Sequence, residues 1–110
     1  SDKLTPWSLI KKRVEGALVG DFVIALFNPK SIERNWQLKS VIDICLKSRH
    51  GDTPVLLARQ VGRENQSKKF FSLNTIPFKE IDMLSIIIIG NSQTTLVDEI
   101  FLTPRGYLQN

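Results

Sequence analysis

Only one cysteine, Cys45, and one histidine, His50, occur among the 110 residues. A lone cysteine excludes an internal disulfide, and two soft ligands are too few for a structural zinc site. The cytoplasm, a reducing compartment, is the expected location. Long apolar runs are also missing: Phe22–Phe27 spans far fewer than the ~20 residues a membrane-crossing helix needs, and the polar amino terminus has no signal-peptide layout. The chain contains no G-x-G-x-x-G, no G-x-x-x-x-G-K-[ST], no H-E-x-x-H and no C-x-x-C. Dinucleotide, P-loop, zinc-protease and dithiol readings therefore lack their motifs. A Cys-His nucleophilic dyad is disfavoured because Cys45 falls on the apolar side of a helical pattern while His50 sits in turn sequence.

What is present is the make-up of an ordinary globular domain, 42% hydrophobic and 24% charged. The length suits one domain, residues 1–110, and excludes two. Lysine and arginine outnumber aspartate and glutamate by 15 to 11, for a net charge of +4, which modestly favours an anionic partner. Ser1 in place of an initiator methionine fits a processed form, an engineered start or a piece of something longer, and composition does not choose among them.

Thr5-Pro6 reads as a helix cap followed by proline at the first helical position. Trp7, Ile10, Val14, Ala17 and Leu18 then recur at helical spacing as far as Gly20. The unbroken apolar run Phe22–Phe27 predicts a strand covered on both faces and stopped by Asn28-Pro29. Ser31 or Asn35 suits the cap of a second helix carrying Leu38, Val41, Ile42, Cys45 and Leu46 on one face. After the turn residues 50–54, Pro54–Ala58 repeats the buried-strand signature. A strand, helix, strand unit normally places its strands parallel, with ligands gathering outside their carboxyl ends. Lys68–Leu73 reads as an edge or antiparallel strand, Asn74–Glu80 as a short helical turn, and Ile86–Ile89 as a third buried strand.

Asn28-Pro29, residues 59–62 and Gly90-Asn91-Ser92 each follow such a strand, the position at which open α/β sheets build sites. Spacing alone leaves open whether they bind a ligand or merely end the strands. Arg59, Arg63, Lys68 and Lys69 form a basic cluster suited to carboxylates or phosphates, or simply to solvation. Nucleic acid is disfavoured, because Phe70 and Phe71 sit in strand pattern and are not interleaved with an exposed basic stripe.

An ordered set of segments carries a resemblance. Leu4-Thr5-Pro6-Trp7, residues 25–31 (Ala-Leu-Phe-Asn-Pro-Lys-Ser), Trp36-Gln37-Leu38, Thr53-Pro54-Val55, Arg59 with Gly62-Arg63, Ile81-Asp82-Met83-Leu84, Gly90-Asn91-Ser92 and Thr103-Pro104-Arg105-Gly106-Tyr107 span nearly the whole chain. In order and spacing they resemble the carboxy-terminal half of the tetrapyrrole methylase family, specifically the branch that methylates precorrin-3B, or its cobalt form, at ring carbon seventeen.

That resemblance implies an α/β fold with a mixed, largely parallel five-stranded sheet flanked by helices. It also implies S-adenosyl-L-methionine as cofactor, a corrin precursor of cobalamin biosynthesis as substrate, and ring contraction accompanying methylation. The family's amino-terminal domain is absent from this sequence, so the chain alone is expected to be inactive. By the same resemblance Phe27, Asn28, Gln60, Val61, Gly62, Met83, Leu84 and Ser85 are expected at the cofactor, largely through backbone atoms. The chain has Phe27 where relatives commonly carry tyrosine, and Gln60-Val61 where they often carry asparagine and a small residue. Lys30, Arg59, Arg63 and Arg105 are expected toward the carboxylate-rich substrate. No catalytic side chain and no metal ligand is assigned. In-line methyl transfer requires alignment and desolvation more than an acid–base pair. A half-molecule with its cleft uncovered is expected to self-associate as a homodimer. The competing reading is a non-catalytic module that holds an adenine-containing or polyanionic ligand at the same strand ends.

Overall fold

The computed structural model describes residues 5–27, 35–59, 62 and 64–104. Helix α1 spans Trp7–Val19, strand β1 Ile24–Phe27, helix α2 Asn35–Ser48, β2 Pro54–Arg59, β3 Ser67–Ser72, β4 Ser85–Ile89, β5 Thr95–Val97 and β6 Ile100–Leu102. Two 3-10 turns, Leu73–Thr75 and Phe78–Glu80, replace the single helical turn expected between β3 and β4. Pro6 stands just before α1 instead of inside it, and its carbonyl accepts the Leu9 and Ile10 amides. Ser31 lies outside the described residues.

Four strands form one sheet in the order β1-β4-β2-β3, and every adjacent pair is antiparallel. The expected largely parallel five-stranded sheet is therefore corrected. The strand, helix, strand unit is nevertheless real: β1 and β2 are both antiparallel to β4 and so run in the same direction. They are not neighbours because β4 is inserted between them, and the intervening strand converts what would be a parallel pair into two antiparallel ladders.

The register places Ile24, Val55, Phe71 and Ile89 on one face, with Leu26, Leu57 and Ile87 one step along it. That face buries Val55, Leu57, Ile87 and Ile89 against Val14 of α1 and Leu38, Val41, Ile42 and Cys45 of α2. The helical spacing of these residues supplies the matching apolar stripe, as expected, and Cys45 is wholly buried. Trp7 and Trp36 meet edge to face, with ring centroids 5.2 Å apart, where the two helices begin.

The opposite face, carrying Ala25, Phe27, Leu56, Ala58, Ile86 and Ile88, is only partly buried or exposed. The strands thus alternate, and the double-sided burial predicted for Phe22–Phe27 and Ile86–Ile89 is not observed. Phe22 precedes the strand and is exposed, and Phe27 at its end is 66% exposed. Unbroken apolar sequence marked these segments as buried on both sides, whereas helices cover one side only among the described residues. Residues 95–102 form the hairpin β5–β6, turning through Asp98 and Glu99 with φ of 51° and 64°. Among the described residues, no helix is long and apolar enough to cross a membrane.

Candidate functional site

The direction of β4 decides where a site can form. The ladder pairs Phe27, the last residue of β1, with Ile86, and Arg59, the last residue of β2, with Ser85. The carboxyl ends of β1 and β2 and the amino end of β4 therefore share one rim of the sheet. Three separate segments expected at the cofactor, represented by Phe27, Gly62 and Met83-Leu84-Ser85, are thereby brought to or next to that rim. Asn28, Gln60 and Val61, also expected there, lie outside the described residues, as do Lys30, Arg63 and Arg105.

The turn into β4 is built around Asp82. Its Oδ2 accepts a hydrogen bond from Arg59 Nη2, and its Oδ1 accepts the Leu84 amide at 2.9 Å and the Ser85 hydroxyl at 3.1 Å. The Asp82 amide in turn donates to Ser85 Oγ at 3.0 Å. Ser85 is completely buried, so its hydroxyl serves this turn and is not offered to a ligand. Met83 and Leu84 are left with their side chains outward, both about half exposed. Burial pushes the Asp82 carboxyl up, but hydrogen bonds from Arg59, Leu84 and Ser85 and the nearby guanidinium charge outweigh it and hold the carboxyl below its ordinary value.

Arg59, expected toward the substrate, is paired with Asp82 through one nitrogen while its side chain stays partly exposed. Its Nε is buried and has no partner among the described residues. A buried guanidinium N–H without an acceptor is costly unless an oxygen meets it, and a carboxylate is the group whose geometry suits it. Gly62, with φ of +85°, has nothing among the described residues within 4 Å of where a Cβ would stand. Sequence reasoning passed over Asp82 as a hub. Its signal was the Asp-x-x-Ser spacing just before a strand, in which a carboxylate can bind the amide two residues on and the hydroxyl three residues on.

Gly90-Asn91-Ser92, singled out as a third strand end, follows the carboxyl end of β4 and so lies at the opposite rim. There it is occupied structurally. Asp21, at φ 55°, accepts the Ser92 amide at 2.9 Å and the Ser92 hydroxyl, and Asn91 Nδ2 donates to the Asp21 carbonyl at 3.0 Å. Arg49 donates to the Gly90 carbonyl at 2.7 Å and to the Phe22 carbonyl. The Ser92 hydroxyl and amide hold the Asp21 carboxyl below its ordinary value against a small opposing effect of burial, and Arg49 adds to the lowering. This constellation ties the α1–β1 and β4–β5 connections to the end of α2. His50 is exposed in the following turn, away from the other rim. Among the described residues no group of three or more metal-binding side chains is present.

The arrangement matches an α/β fold already seen in a solved methyltransferase. The crystal structure of the methyltransferase CobJ superposes with a TM-score of 0.87 at 31% identity, covering 94% of this chain and 44% of that one. Over nearly its whole length the chain is similar to parts of proteins named cobalt-factor III and precorrin-3B C(17)-methyltransferases. It is 44% identical over 107 residues to the cobalt-factor III methyltransferase of Priestia megaterium, covering 97% of this chain and 20% of that protein. It is 39% identical to the probable cobalt-factor III C(17)-methyltransferase of Salmonella typhimurium and 33% identical to the precorrin-3B C(17)-methyltransferase of a Sinorhizobium species, covering 44% of each. The chain therefore spans between a fifth and just under half of these relatives. No family model matches it.

Proposed function

We propose that this chain is the carboxy-terminal domain of an S-adenosyl-L-methionine-dependent C(17)-methyltransferase of cobalamin biosynthesis, acting on precorrin-3B or its cobalt form with ring contraction. The observation that carries the reading is the likeness over 97% of the chain to proteins named for that reaction. The shared rim of β1, β2 and β4 supplies the physical place. The domain forms one wall of a cleft, and the amino-terminal remainder of the polypeptide forms the other. The cytoplasm is the proposed location.

S-adenosyl-L-methionine supplies a methyl group already activated on a sulfonium, so the ring carbon's electron pair can displace a neutral thioether without a protein nucleophile. What this chain contributes is binding and orientation. The segments at Phe27-Asn28, Gln60-Val61-Gly62 and Met83-Leu84-Ser85 hold the cofactor by backbone groups. Asp82 fixes the last of these segments, and the partly exposed Arg59 guanidinium meets a carboxylate. Lys30, Arg63 and Arg105 face the carboxylates of the macrocycle. Such charge-assisted contacts orient a polyanionic substrate, and alignment of the reacting atoms with exclusion of water lowers the barrier to in-line transfer.

The deciding experiment is transfer of a labelled methyl group by the complete polypeptide to cobalt-factor III and, separately, to precorrin-3B, under reducing conditions. One methyl gained at ring carbon seventeen on either acceptor is the expected result. A macrocycle left unmethylated in both would overturn the assignment.

A further inference from the structure

The two carboxylate oxygens of Asp82 are engaged by different parts of the chain. Oδ1 serves the turn that follows it, accepting the Leu84 amide at 2.9 Å and the Ser85 hydroxyl at 3.1 Å. Oδ2 accepts from the Arg59 guanidinium, which lies 23 residues earlier, at the end of β2. The donors also differ in kind. Those at Oδ1 are neutral and local, and the side-chain oxygen of either aspartate or asparagine accepts such bonds equally well. The donor at Oδ2 is a cation, and the strength of that bond requires the carboxylate's charge.

Exposure shows where each end can act. Ser85 is fully buried, whereas Met83 and Leu84 stand outward on the turn that Oδ1 shapes. The Arg59 side chain keeps 38% of its surface and Asp82 keeps 42%. The guanidinium is therefore held through one nitrogen and still open to solvent, as a cation must be to take a second anion. An arginine free to rotate has to be ordered when it binds, and one tethered by a carboxylate is ordered in part beforehand.

We propose that Asp82 is a positioning residue with two separable actions: through Oδ1 it shapes the cofactor segment, and through Oδ2 it aims the Arg59 guanidinium at a carboxylate of the tetrapyrrole. This rests on the reading of the rim as the methyltransferase site, and it adds that the charge of Asp82 is used on the substrate side alone. Asparagine separates the two actions. Its amide oxygen takes the place of Oδ1, but its NH2 then faces a guanidinium that also only donates. The tether to Arg59 is lost while the turn is kept.

Steady-state kinetics of the complete polypeptide with whichever of cobalt-factor III and precorrin-3B it methylates, and calorimetric titration with S-adenosylhomocysteine, test this. Asp82→Asn is expected to raise the KM for the tetrapyrrole about three- to tenfold, with kcat and S-adenosylhomocysteine affinity within about twofold of the parent. Asp82→Ala is expected to weaken both ligands. In an Arg59→Ala background, adding Asp82→Asn should change the tetrapyrrole KM by less than about twofold further, because Asp82 acts through Arg59. An unchanged tetrapyrrole KM in Asp82→Asn overturns the proposal. So does equal weakening of cofactor and tetrapyrrole in that variant, or additive losses in the double variant, either of which would mark a merely structural role. These comparisons decide the matter even if Asp82→Ala fails to fold. A parent polypeptide that methylates neither acceptor overturns the reading of the site itself, and the proposal with it.

Discussion

Asp82 and Arg59 join the turn into β4 to the end of β2, across a rim where Arg59 is also the register partner of Ser85. The carboxylate therefore does two things at once. It fixes the Met83-Leu84-Ser85 turn, and it holds one guanidinium nitrogen, while the buried Nε has no partner among the described residues.

Replacing Asp82 by alanine removes the acceptor for the Leu84 amide, the Ser85 hydroxyl and Arg59 together. The expected cost is about 1–3 kcal/mol in unfolding free energy, because the buried Ser85 hydroxyl loses its acceptor. Exchange at the Leu84 amide should rise with it. Denaturant unfolding together with exchange at that amide checks both effects. A variant with unchanged stability and unchanged Leu84 protection would remove Asp82 from its place as hub.

The Arg59–Asp82 pair itself is about 40% exposed on each side. A double-mutant cycle with Arg59→Ala and Asp82→Ala should give a coupling energy of only about 0.5–1 kcal/mol, since solvent screens the charges. A coupling indistinguishable from zero would mean that the pair does not hold in solution.

Asp82 and Asp21 both have folded-state pKa values below the ordinary carboxylate value of 3.8. A depressed value means that the fold favours the ionised form. The stabilisation is fully present above the unfolded value and is lost as pH falls through it toward the folded values. Thermal midpoints should be flat from about pH 7 to 5 and fall below about pH 4. In the double variant Asp21→Asn, Asp82→Asn that acid limb should be shallower, and an unchanged limb would count against these two carboxylates as its source.

Cys45 is wholly buried in the α2–sheet core, and desolvation pushes its thiol up to about 11, against a smaller opposing pull from Arg49. At pH 8 a thiol reagent should react with the folded protein at least ~100-fold more slowly than with the unfolded chain, because both thiolate and access are lacking. Rapid labelling under native conditions would show that the core opens there.

A Cβ at Gly90 would stand 2.6 Å from Thr94 Cβ, and the Gly90 carbonyl accepts from Arg49. Gly90→Ala should therefore cost about 1–3 kcal/mol by overpacking, whereas Gly16→Ala, with open space at its Cβ, should be neutral or slightly stabilising. Chemical denaturation of both variants makes the comparison. Equal midpoints would contradict the crowding at Gly90.

The amino acids alone determined the two amphipathic helices, the apolar segments that became β1, β2 and β4, the edge position of β3 and the burial of Cys45. These follow from side-chain periodicity and turn residues, which act within a few positions along the chain. The expectation that Phe27-Asn28, Gln60-Val61-Gly62 and Met83-Leu84-Ser85 meet a cofactor rests on family likeness alone, since nothing local distinguishes these segments from strand ends. Tertiary structure decided the direction of β4, because the isoleucine run carries no mark of which way it points. Inserted antiparallel between β1 and β2, it brings Ser85 to the rim of Phe27 and Arg59 and sends Asn91 and Ser92 to the other. That arrangement is fixed by which ladder best buries Ile87 and Ile89 beneath both helices, a condition set by residues far apart in the chain.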